Sequence, residues 1–524
     1  MSQFIQTLSA VAQSANLNHA GAPAYKHGLR DQVRNFLRCG TLSGTFYVSA
    51  QQDAVETIET LRRFGEQDAV ALAEEAISAR EEGFMRTLPI LAVVVLSGLP
   101  NKELFRETAK RVLKVPRDVA QFVLICKTGA VPGAEKFAGC RIGSVKTFLE
   151  SLSEYHGIKG TQMEKMPLRD LVRMAHPKPS SDQKRELFGW LSGHVESKSV
   201  SVNASVMALQ KLKGTTDVAE QVQLIREGRL PYEAVSAVVT SPDVEVWRAL
   251  LEQAPTFNLM RNLATFHRHG VFANSQSVEL AVSKLTREGA MRQAKILPFR
   301  AYQAWKAYSA LEGHDLRIVA ALSDALTNSV ANMPLFTGRV CIAPDVSGSM
   351  HCPIKPNVPG KMYRSSSDEL SCMEVAGIFA AGLLARSANA VVLPFSNDVI
   401  DVRLNPRDSV LANAQTISSI GGGGTAMAAP VDRLLEQRDV VDLYVAITDS
   451  EDWIGRFEDS WRRYKAEVAP AAKAVLVTVV PDPYRVVPES TSDVHYVHGW
   501  SDAVLRYVSE IGGGAFESSP VDEE

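Results

Sequence analysis

Apolar side chains recur at helical spacing through residues 1 to about 335. Residues 278–285 illustrate the pattern, because apolar residues there occupy positions i, i+3, i+4 and i+7 on one helical face. The same periodicity predicts helices over 55–64 and 68–79, and the run 88–99 predicts a buried helix too short to span a bilayer. The pattern therefore predicts an all-α stack of irregular helical repeats of the HEAT type.

The pattern changes near residue 336, where short apolar runs begin to alternate with helical segments. Strands are predicted over 339–344, 390–395, 443–447 and 474–480, and helices over 369–386 and 427–436. Strands that alternate with helices form a parallel sheet covered on both faces, so this region predicts a doubly wound α/β domain. We place the two domains at residues 1–335 and 336–524.

Polar side chains follow two of the predicted strands. Asp345, Ser347 and Ser349 come directly after the strand 339–344. Asp449 follows the strand 443–447, and Thr425 ends a run of four glycines. The carboxyl ends of parallel strands meet at one edge of a sheet, where such folds bind ligands. Because all the donors are hard oxygens, the pattern favours Mg²⁺ or Mn²⁺ over zinc.

The distribution of charge adds a second candidate surface. The net charge of −3 combines 40 basic against 33 acidic residues in 1–335, giving +7, with 16 against 26 in 336–524, giving −10. Residues 101–200 hold 18 basic and 11 acidic residues, again +7. This excess predicts an anion-binding face, although a solvated helical surface with uneven charge would give the same count.

Composition indicates a cytoplasmic protein. The 45% hydrophobic and 22% charged content is ordinary for a globular chain. No basic start followed by an apolar core opens the sequence, so we expect no secretory signal and no membrane association. The six cysteines are scattered without zinc spacing, which favours reduced thiols.

The polar residues at the strand ends resemble a known metal site. Asp-x-Ser-x-Ser at 345–349, a later threonine in a glycine loop and a later Thr-Asp are similar to the metal-ion-dependent adhesion site of von Willebrand factor A domains. The resemblance implies that Ser347, Ser349 and Thr425 bind the metal directly. Asp345 and Asp449 would bind directly or through water. The expected ion is Mg²⁺, with Mn²⁺ or Ca²⁺ as alternatives, and its sixth position is left for an acidic group of a partner.

The helical region resembles the TROVE module. The matching segments, in order, are 34–40 with 44–48, 168–179, 247–251, 259–263 and 296–299. Followed by an A domain, they resemble the Ro autoantigen family at a bacterial size. The resemblance implies a monomeric helical ring whose two ends the A domain clasps. It also implies a basic outer surface for small noncoding Y RNAs and a central hole for single-stranded 3′ ends of misfolded RNAs. The expected roles are RNA quality control, processing and stress response, together with a 3′→5′ exoribonuclease.

Basic residues of the positive stretch are the candidate RNA contacts. Arg169 and Arg173 lie four apart on one predicted helical face, while Leu168, Leu171 and Val172 can form the core side. His176 aligns with the RNA-binding histidine of the family, although a histidine at such a turn can also be an incidental cap. The full candidate set is Lys127, Arg141, Lys146, Lys165, Arg169, Arg173, His176 and Lys178.

Two other classes of function compete with RNA binding. One is a metal-dependent protein-binding scaffold whose A domain recruits a carboxylate-bearing partner. The other is a metal-dependent hydrolase or phosphoryl-transfer enzyme. Chemistry disfavours the enzyme, because position 347 is serine rather than a second aspartate and no histidine or lysine base lies in the motif. His351 follows the motif, but the sequence shows no residue that would orient it.

Overall fold

The chain folds into a helical half followed by an α/β half. The structure, a computed structural model, describes residues 16–17, 23–26, 28–39, 50–81, 85–161, 163, 165–194, 200–201, 203–240, 242–352, 370–449, 456–479, 484–488, 491, 493–499 and 502–513. Within these ranges, no helix combines the length and the apolar character that crossing a membrane requires.

The helical half is built from short helices. Their bounds are α1 Leu29–Cys39, α2 Ala50–Gln67, α3 Ala69–Glu81, α4 Thr87–Gly98, α5 Lys102–Val112, α6 Pro116–Thr128, α7 Cys140–Ser151, α8 Glu154–Gly160, α9 Leu168–Ala175, α10 Asp182–Ser192, α11 Ala204–Leu212, α12 Val218–Gly228, α13 Tyr232–Ser236, α14 Val244–Gln253, α15 Thr256–Arg268, α16 Ser275–Thr286, α17 Ala290–Gln293, α18 Pro298–Ser309 and α19 Leu316–Ser329. Most of them pack against near neighbours in sequence, as in a helical-repeat stack, while the short helix α13 contacts α8.

Apolar periodicity explains these helices. The predicted helices over 55–64, 68–79 and 88–99 lie within α2, α3 and α4 and are confirmed. Helix α4 is apolar on all sides, and nearly all of its side chains are buried among α3, α5 and α6. A helix without a polar face has no solvent side, so α4 forms an inner layer of the stack.

The α/β half contains a five-stranded parallel sheet. The described strands are β1 Asn16–Leu17, β2 Pro23–Lys26, β3 Phe336–Pro344, β4 Ser387–Val392, β5 Leu443–Thr448, β6 Lys473–Thr478, β7 Tyr484–Arg485 and β8 Val494–His498. The large sheet has the order β4-β3-β5-β6-β8, with all neighbours parallel. Its first strand begins at Phe336, beside the predicted domain boundary.

Helices cover both faces of this sheet. They are α20 Cys372–Ala385, α21 Val410–Ser418, α22 Ala429–Gln437, α23 Phe457–Glu467 and α24 Asp502–Gly512. Alternate residues of β5 enter two cores. Val445 joins the core that continues into the helical half, while Tyr444 joins a separate core with Phe457 and Trp461. The sheet is doubly wound, as the strand and helix order predicts.

Helix α1, the first helix that the structure describes, contacts the α/β half. Helix α1 packs against β8, and the Arg34 guanidinium lies 5.7 Å from the ring centroid of Tyr507 in α24. Strand β2 also pairs antiparallel with β7, which joins the start of the described chain to the α/β half. The N-terminal end of the stack is therefore attached to the second half.

The last helices of the stack contact the same half. Helix α18 packs against α20, and α19 packs against α21. Lys306 Nζ donates to both carboxylate oxygens of Glu374, at 2.7 and 2.9 Å, and Tyr302 Oη donates to Oε1 at 3.0 Å. Gly382 allows a close approach here, because a Cβ atom at that position would lie 2.4 Å from Met333 Sδ. Contacts therefore run from α1 through the stack to α19 and back through the α/β half to α1.

Candidate functional site

The carboxyl edge of the sheet brings the predicted metal ligands together. Asp345, which directly follows β3, is fully buried and accepts two hydrogen bonds. Its Oδ1 accepts from the Ser347 backbone N–H at 2.9 Å, and its Oδ2 accepts from Thr448 Oγ1 at 2.7 Å. The hydroxyl oxygens of Ser347 and Ser349 lie 3.2 Å apart. Ser347 is buried and Ser349 is exposed, so the site opens to solvent on the Ser349 side.

The glycine loop is held against this motif by backbone hydrogen bonds. The Gly348 N–H donates to Gly423 O at 2.9 Å, and the Gly422 N–H donates to Val346 O at 2.7 Å. Gly421 has a φ of +101°, and a Cβ atom there would lie 2.1 Å from Val346 O. Only glycine fits that position, because both the φ angle and the close approach exclude a side chain. The run of glycines thus lets the loop that carries Thr425 approach the Asp345 strand end.

Thr425 has a hydroxyl that the protein leaves unpaired. Thr425 is 1% exposed, and among the described residues its Oγ1 has no hydrogen-bond partner. A buried hydroxyl without a partner is unfavourable by about 1–3 kcal/mol, and it suits an atom that receives a ligand. The orphaned Thr425 oxygen, the hydroxyls of Ser347 and Ser349 and the buried carboxylate are the kind of oxygen donors that suit a hard divalent cation such as Mg²⁺.

Electrostatics at this edge also favours a cation. Burial and, second to it, the negative charge of Asp449 together raise the pKa of Asp345 to about 7. Asp449 is half-buried and directly follows β5. The nearby charge of Asp449 disfavours the charged form of Asp345, and a bound divalent cation would reverse that effect. Ser450, the next residue of this motif, lies outside the described residues.

Two residues that support the site were absent from the predicted set. Thr448 orients Asp345, and Asn397 Oδ1 accepts from the Gly424 N–H at 2.9 Å. Both follow or end a strand at the same sheet edge, so the rule that identified Asp345 could have found them. His351 is exposed, and its Nδ1 lies 3.3 Å from Gly348 O, a backbone atom of its own turn.

The predicted basic face is centred on α9. Leu168, Leu171 and Val172 are buried, as predicted for the core side, while Arg169 and Arg173 are exposed. Arg169 Nε donates to Asp170 Oδ1 at 3.1 Å. Arg173 donates from Nε and Nη2 to Ser192 O, at 2.9 and 2.6 Å, and so binds the C-terminal end of α10. The two arginines lie on one face of α9, but Arg173 is held by two hydrogen bonds to another helix and Arg169 by one to its neighbour in sequence.

The turn after α9 presents His176 and Lys178 to solvent. His176 has a left-handed backbone with a φ of +45°, and its N–H donates to Val172 O at 3.0 Å. The Lys178 N–H donates to Glu150 Oε1 at 3.0 Å, which fastens the turn to the end of α7. Both side chains are exposed. The backbone of this turn is therefore fixed, while an imidazole and an ammonium remain available.

Neighbouring helices extend the basic face. Helices α6 and α7 both contact α9. Lys127 is exposed at the end of α6, Lys146 is half-buried on α7, and Lys165 is exposed just before α9. On α8, which packs against α6, Tyr155 is 46% exposed and the Lys159 ammonium lies 5.9 Å from its ring centroid. Tyr155 was not among the predicted residues, and an exposed aromatic ring inside the basic window is the signal that could have found it.

Arg141 has a different role from the predicted RNA contact. It is 8% exposed, and its guanidinium donates to Ser97 Oγ at 2.7 Å and to Ser97 O at 3.0 Å. It also donates to the backbone oxygens of Lys136, at 2.7 Å, and Gly133. These bonds satisfy a buried cation and tie α7 to the end of α4, so we leave Arg141 out of the candidate interface.

Models of two known domains match separate parts of the chain. The model of the Ro60 vWA domain matches residues 339–511, and the model of the TROVE domain matches residues 239–330. A protein of Deinococcus radiodurans named RNA-binding protein RO60 is 25% identical over 517 residues, which cover 95% of each chain. A Caenorhabditis elegans protein of the same name is 21% identical over 591 residues, covering 95% of this chain and 90% of the relative. The crystal structure of the D. radiodurans RO (RSR) protein superposes with a TM-score of 0.71 at 21% identity, covering 93% of this chain and 100% of that one.

Proposed function

Because this chain belongs to the Ro family, in which a TROVE domain and a Ro60-type von Willebrand factor A domain occur together, we propose that it is an RNA-binding protein. Its RNA would be a small structured noncoding RNA of the Y type, held on the basic face around α9. The proposal includes a cytoplasmic role in RNA quality control, processing and the stress response, with a 3′→5′ exoribonuclease as a partner.

The observation that carries the proposal is the set of exposed basic side chains on α9 and its turn. Arg169, Arg173, His176 and Lys178 are all exposed and lie within ten residues of each other. Lys127, Lys146 and Lys165 continue the charge on adjoining elements. Cations neutralise phosphates and displace counterions, and the exposed ring of Tyr155 can stack on an unpaired base. The surface therefore offers both types of contact that RNA uses.

We further propose that single-stranded 3′ ends of misfolded RNA enter a central hole of the molecule. The supporting observation is the closed circuit of contacts from α1 through α19 and the α/β half back to α1. A circuit of this length built from paired helices can enclose an opening. A single strand passes through an opening that excludes a duplex, so the ends of damaged or unpaired RNAs would be selected.

The α/β half has a proposed role of its own as a metal-dependent recruitment site. Ser347, Ser349 and Thr425 would hold Mg²⁺ directly, while Asp345 and Asp449 would act directly or through water. When bound, the ion would supply an open position for a carboxylate of a protein partner. The unpaired Thr425 hydroxyl specifically favours this second function, which would operate alongside RNA binding.

A salt titration tests the proposed RNA function. The full chain would be titrated against a labelled small structured RNA in a filter-binding assay at several salt concentrations. We expect tight binding whose logarithm falls linearly with the logarithm of salt concentration, since phosphate contacts release counterions. Absence of binding at low salt, with the protein folded, would leave only the recruitment function of the α/β half.

A further inference from the structure

Two cysteines of the α/β half face each other across a long stretch of sequence. Cys352 Sγ and Cys372 Sγ lie 3.4 Å apart, within hydrogen-bond distance for sulfur. Their backbones are also joined, because the Cys372 N–H donates to Cys352 O at 3.0 Å. Twenty positions separate the two in sequence. A local turn therefore cannot explain the contact, which results from the packing of α20 against the end of the metal motif.

The backbone on each side of this pair is held in place. The Cys352 N–H donates to Ser349 O at 3.0 Å. Cys372 is the first residue of α20, directly after Ser371, whose hydroxyl and N–H form a reciprocal capping pair with Glu374. Such a cap fixes the first turn of a helix. The two thiols are thus brought together by ordered backbone on both sides.

We propose that Cys352 and Cys372 are a redox modification site, where hydrogen peroxide converts the two thiols into a reversible intramolecular disulfide. The Cys352 thiolate attacks one peroxide oxygen, giving a sulfenic acid and releasing one water after protonation. The Cys372 sulfur then attacks the Cys352 sulfur, forming the S–S bond and expelling the hydroxyl group as a second water. Two thiols are oxidised and one peroxide is reduced, so two waters balance the reaction.

Exposure assigns the order of the two steps. Cys352 is half-buried and can meet a small oxidant, whereas Cys372 is buried and can only reach its neighbour. Bond formation shortens the sulfur separation from 3.4 Å to roughly 2.05 Å. The disulfide would join the end of the metal motif to the helix whose Glu374 contacts Lys306 of the helical half. The modification therefore lies between the proposed metal site and the helix that contacts the helical half, where the RNA-binding face is proposed.

Mass spectrometry with thiol alkylation tests the proposal. The full chain carries six cysteines, so the reduced protein, once denatured, takes up six alkyl groups. After brief treatment with hydrogen peroxide we expect four alkyl groups, a mass loss of ~2 Da before alkylation, and a peptide pair that contains positions 352 and 372. Treatment with dithiothreitol should restore six. A cross-link between other positions, a link between two chains, or oxidation without any cross-link would overturn the proposal.

Matched variants identify the thiols independently of the peptide map. Cys352→Ser should abolish the cross-link. This variant changes the half-buried thiol and leaves the buried Cys372 in the core unchanged. Cys372→Ser should give the same result. Cys126→Ser removes a buried thiol of the helical half and should keep the full cross-link. Loss of the cross-link in Cys126→Ser, or its persistence in Cys352→Ser, would show that the assigned pair is wrong.

Discussion

At the scale of single residues, the arginines of the basic face differ in their structural roles. Arg173 binds the carbonyl of Ser192 at the end of α10, so it supports the fold as well as the surface. Arg169 donates to the exposed carboxylate of Asp170, and an exposed ion pair of this kind contributes little to stability. A loss of RNA affinity on substitution of Arg169 therefore reports a lost phosphate contact with less effect on the fold than substitution of Arg173.

The double change Arg169→Ala/Arg173→Ala should weaken RNA binding by about 1–3 kcal/mol, since charge-assisted phosphate contacts are lost. The slope of log affinity against log salt should become shallower by roughly 1–2. Filter binding with a small structured RNA measures both quantities. The matched control is Arg462→Ala/Arg463→Ala, which removes two exposed cations from α23. Equal losses in the two double variants would mean that net charge, rather than the face around α9, determines affinity.

Thr425→Val should separate metal binding from folding. The valine keeps the shape of threonine and removes a buried hydroxyl that has no partner among the described residues. We expect the metal-free unfolding free energy to stay constant or rise by up to ~1 kcal/mol, while Mg²⁺ affinity falls at least about tenfold. Urea unfolding and isothermal titration measure the two effects.

The comparison variant for this test is Thr448→Val. It removes the hydroxyl that donates to Asp345, so the metal-free protein should lose about 1–3 kcal/mol. A loss of that size in Thr425→Val instead would show that the Thr425 hydroxyl has a structural partner.

Stabilisation by Mg²⁺ should increase between pH 6 and pH 8. The pKa of Asp345 is raised to about 7 by burial and by Asp449, so the metal-free folded protein holds this proton more tightly than the unfolded chain. Stability from that proton is present at low pH and is lost as pH rises from the unfolded pKa toward 7. Metal binding requires the carboxylate, so the rise in Tm on adding Mg²⁺ should be larger at pH 8. Asp345→Asn should remove the difference, and a metal-induced Tm shift that is equal at both pH values in the wild type would contradict the assignment.

At the scale of elements, the junction of α18 and α20 joins the two halves through one carboxylate. Glu374 accepts from Lys306 and Tyr302 and also caps α20. Burial alone would raise the pKa of Glu374, but the hydrogen bonds from Lys306 and from the Ser371 backbone hold it below its ordinary value. The charged carboxylate is therefore the form that the junction stabilises.

Breaking this pair should loosen the junction. Lys306 and Glu374 have side chains that are only 25% and 19% exposed. We expect Lys306→Met to lower the unfolding free energy by about 1–3 kcal/mol, because Glu374 keeps its charge without its strongest partner. The equivalent change Arg433→Met breaks a pair with the largely exposed Asp401 and should have a smaller effect. Urea denaturation of both variants gives the comparison, and equal effects would show that the junction pair is no stronger than a surface pair.

Elements with strong local periodicity were predictable from the sequence, and those defined by distant pairing were not. The strands over 339–344 and 443–447 are confirmed as parts of β3 and β5, and the strand over 474–480 is confirmed as far as Thr478, where β6 ends, because each is a largely apolar run. Strand β8 was missed, since histidines interrupt its short apolar pattern. The pairing of β2 with β7 joins segments more than 450 residues apart, which no local pattern can show.

The candidate site shows the same division between local and distant information. Sheet topology alone predicts that Asp345 and Asp449 meet, because both follow parallel strands. Arg141 was taken as a surface cation, although it lies in a helix whose inner face packs against α5. Its burial depends on Ser97, which is 44 positions away. A count of basic residues cannot distinguish a buried cation that donates hydrogen bonds to carbonyl oxygens from one that faces solvent.

At the scale of the whole molecule, the closed circuit of contacts predicts a preference among RNA forms. An RNA with a free single-stranded 3′ end should bind better than a blunt duplex of the same sequence, because a strand can enter an opening without first melting base pairs. Competition between the two forms for the full chain measures the preference. A control RNA with the same single strand at its 5′ end separates end recognition from simple single-strand affinity. Equal competition by the blunt duplex would argue against an open channel.

The contact between α1 and β8 also determines how the molecule is completed during synthesis. A ribosome produces Leu29 and then 464 further residues before it reaches Val494, the first residue of β8. At ~5–20 residues per second this takes about 20–90 s, far longer than short helices need to form. The nascent helical stack is therefore an open arc for most of its synthesis. The side of α1 that contacts β8 in the folded protein stays uncovered until β8 has been synthesised.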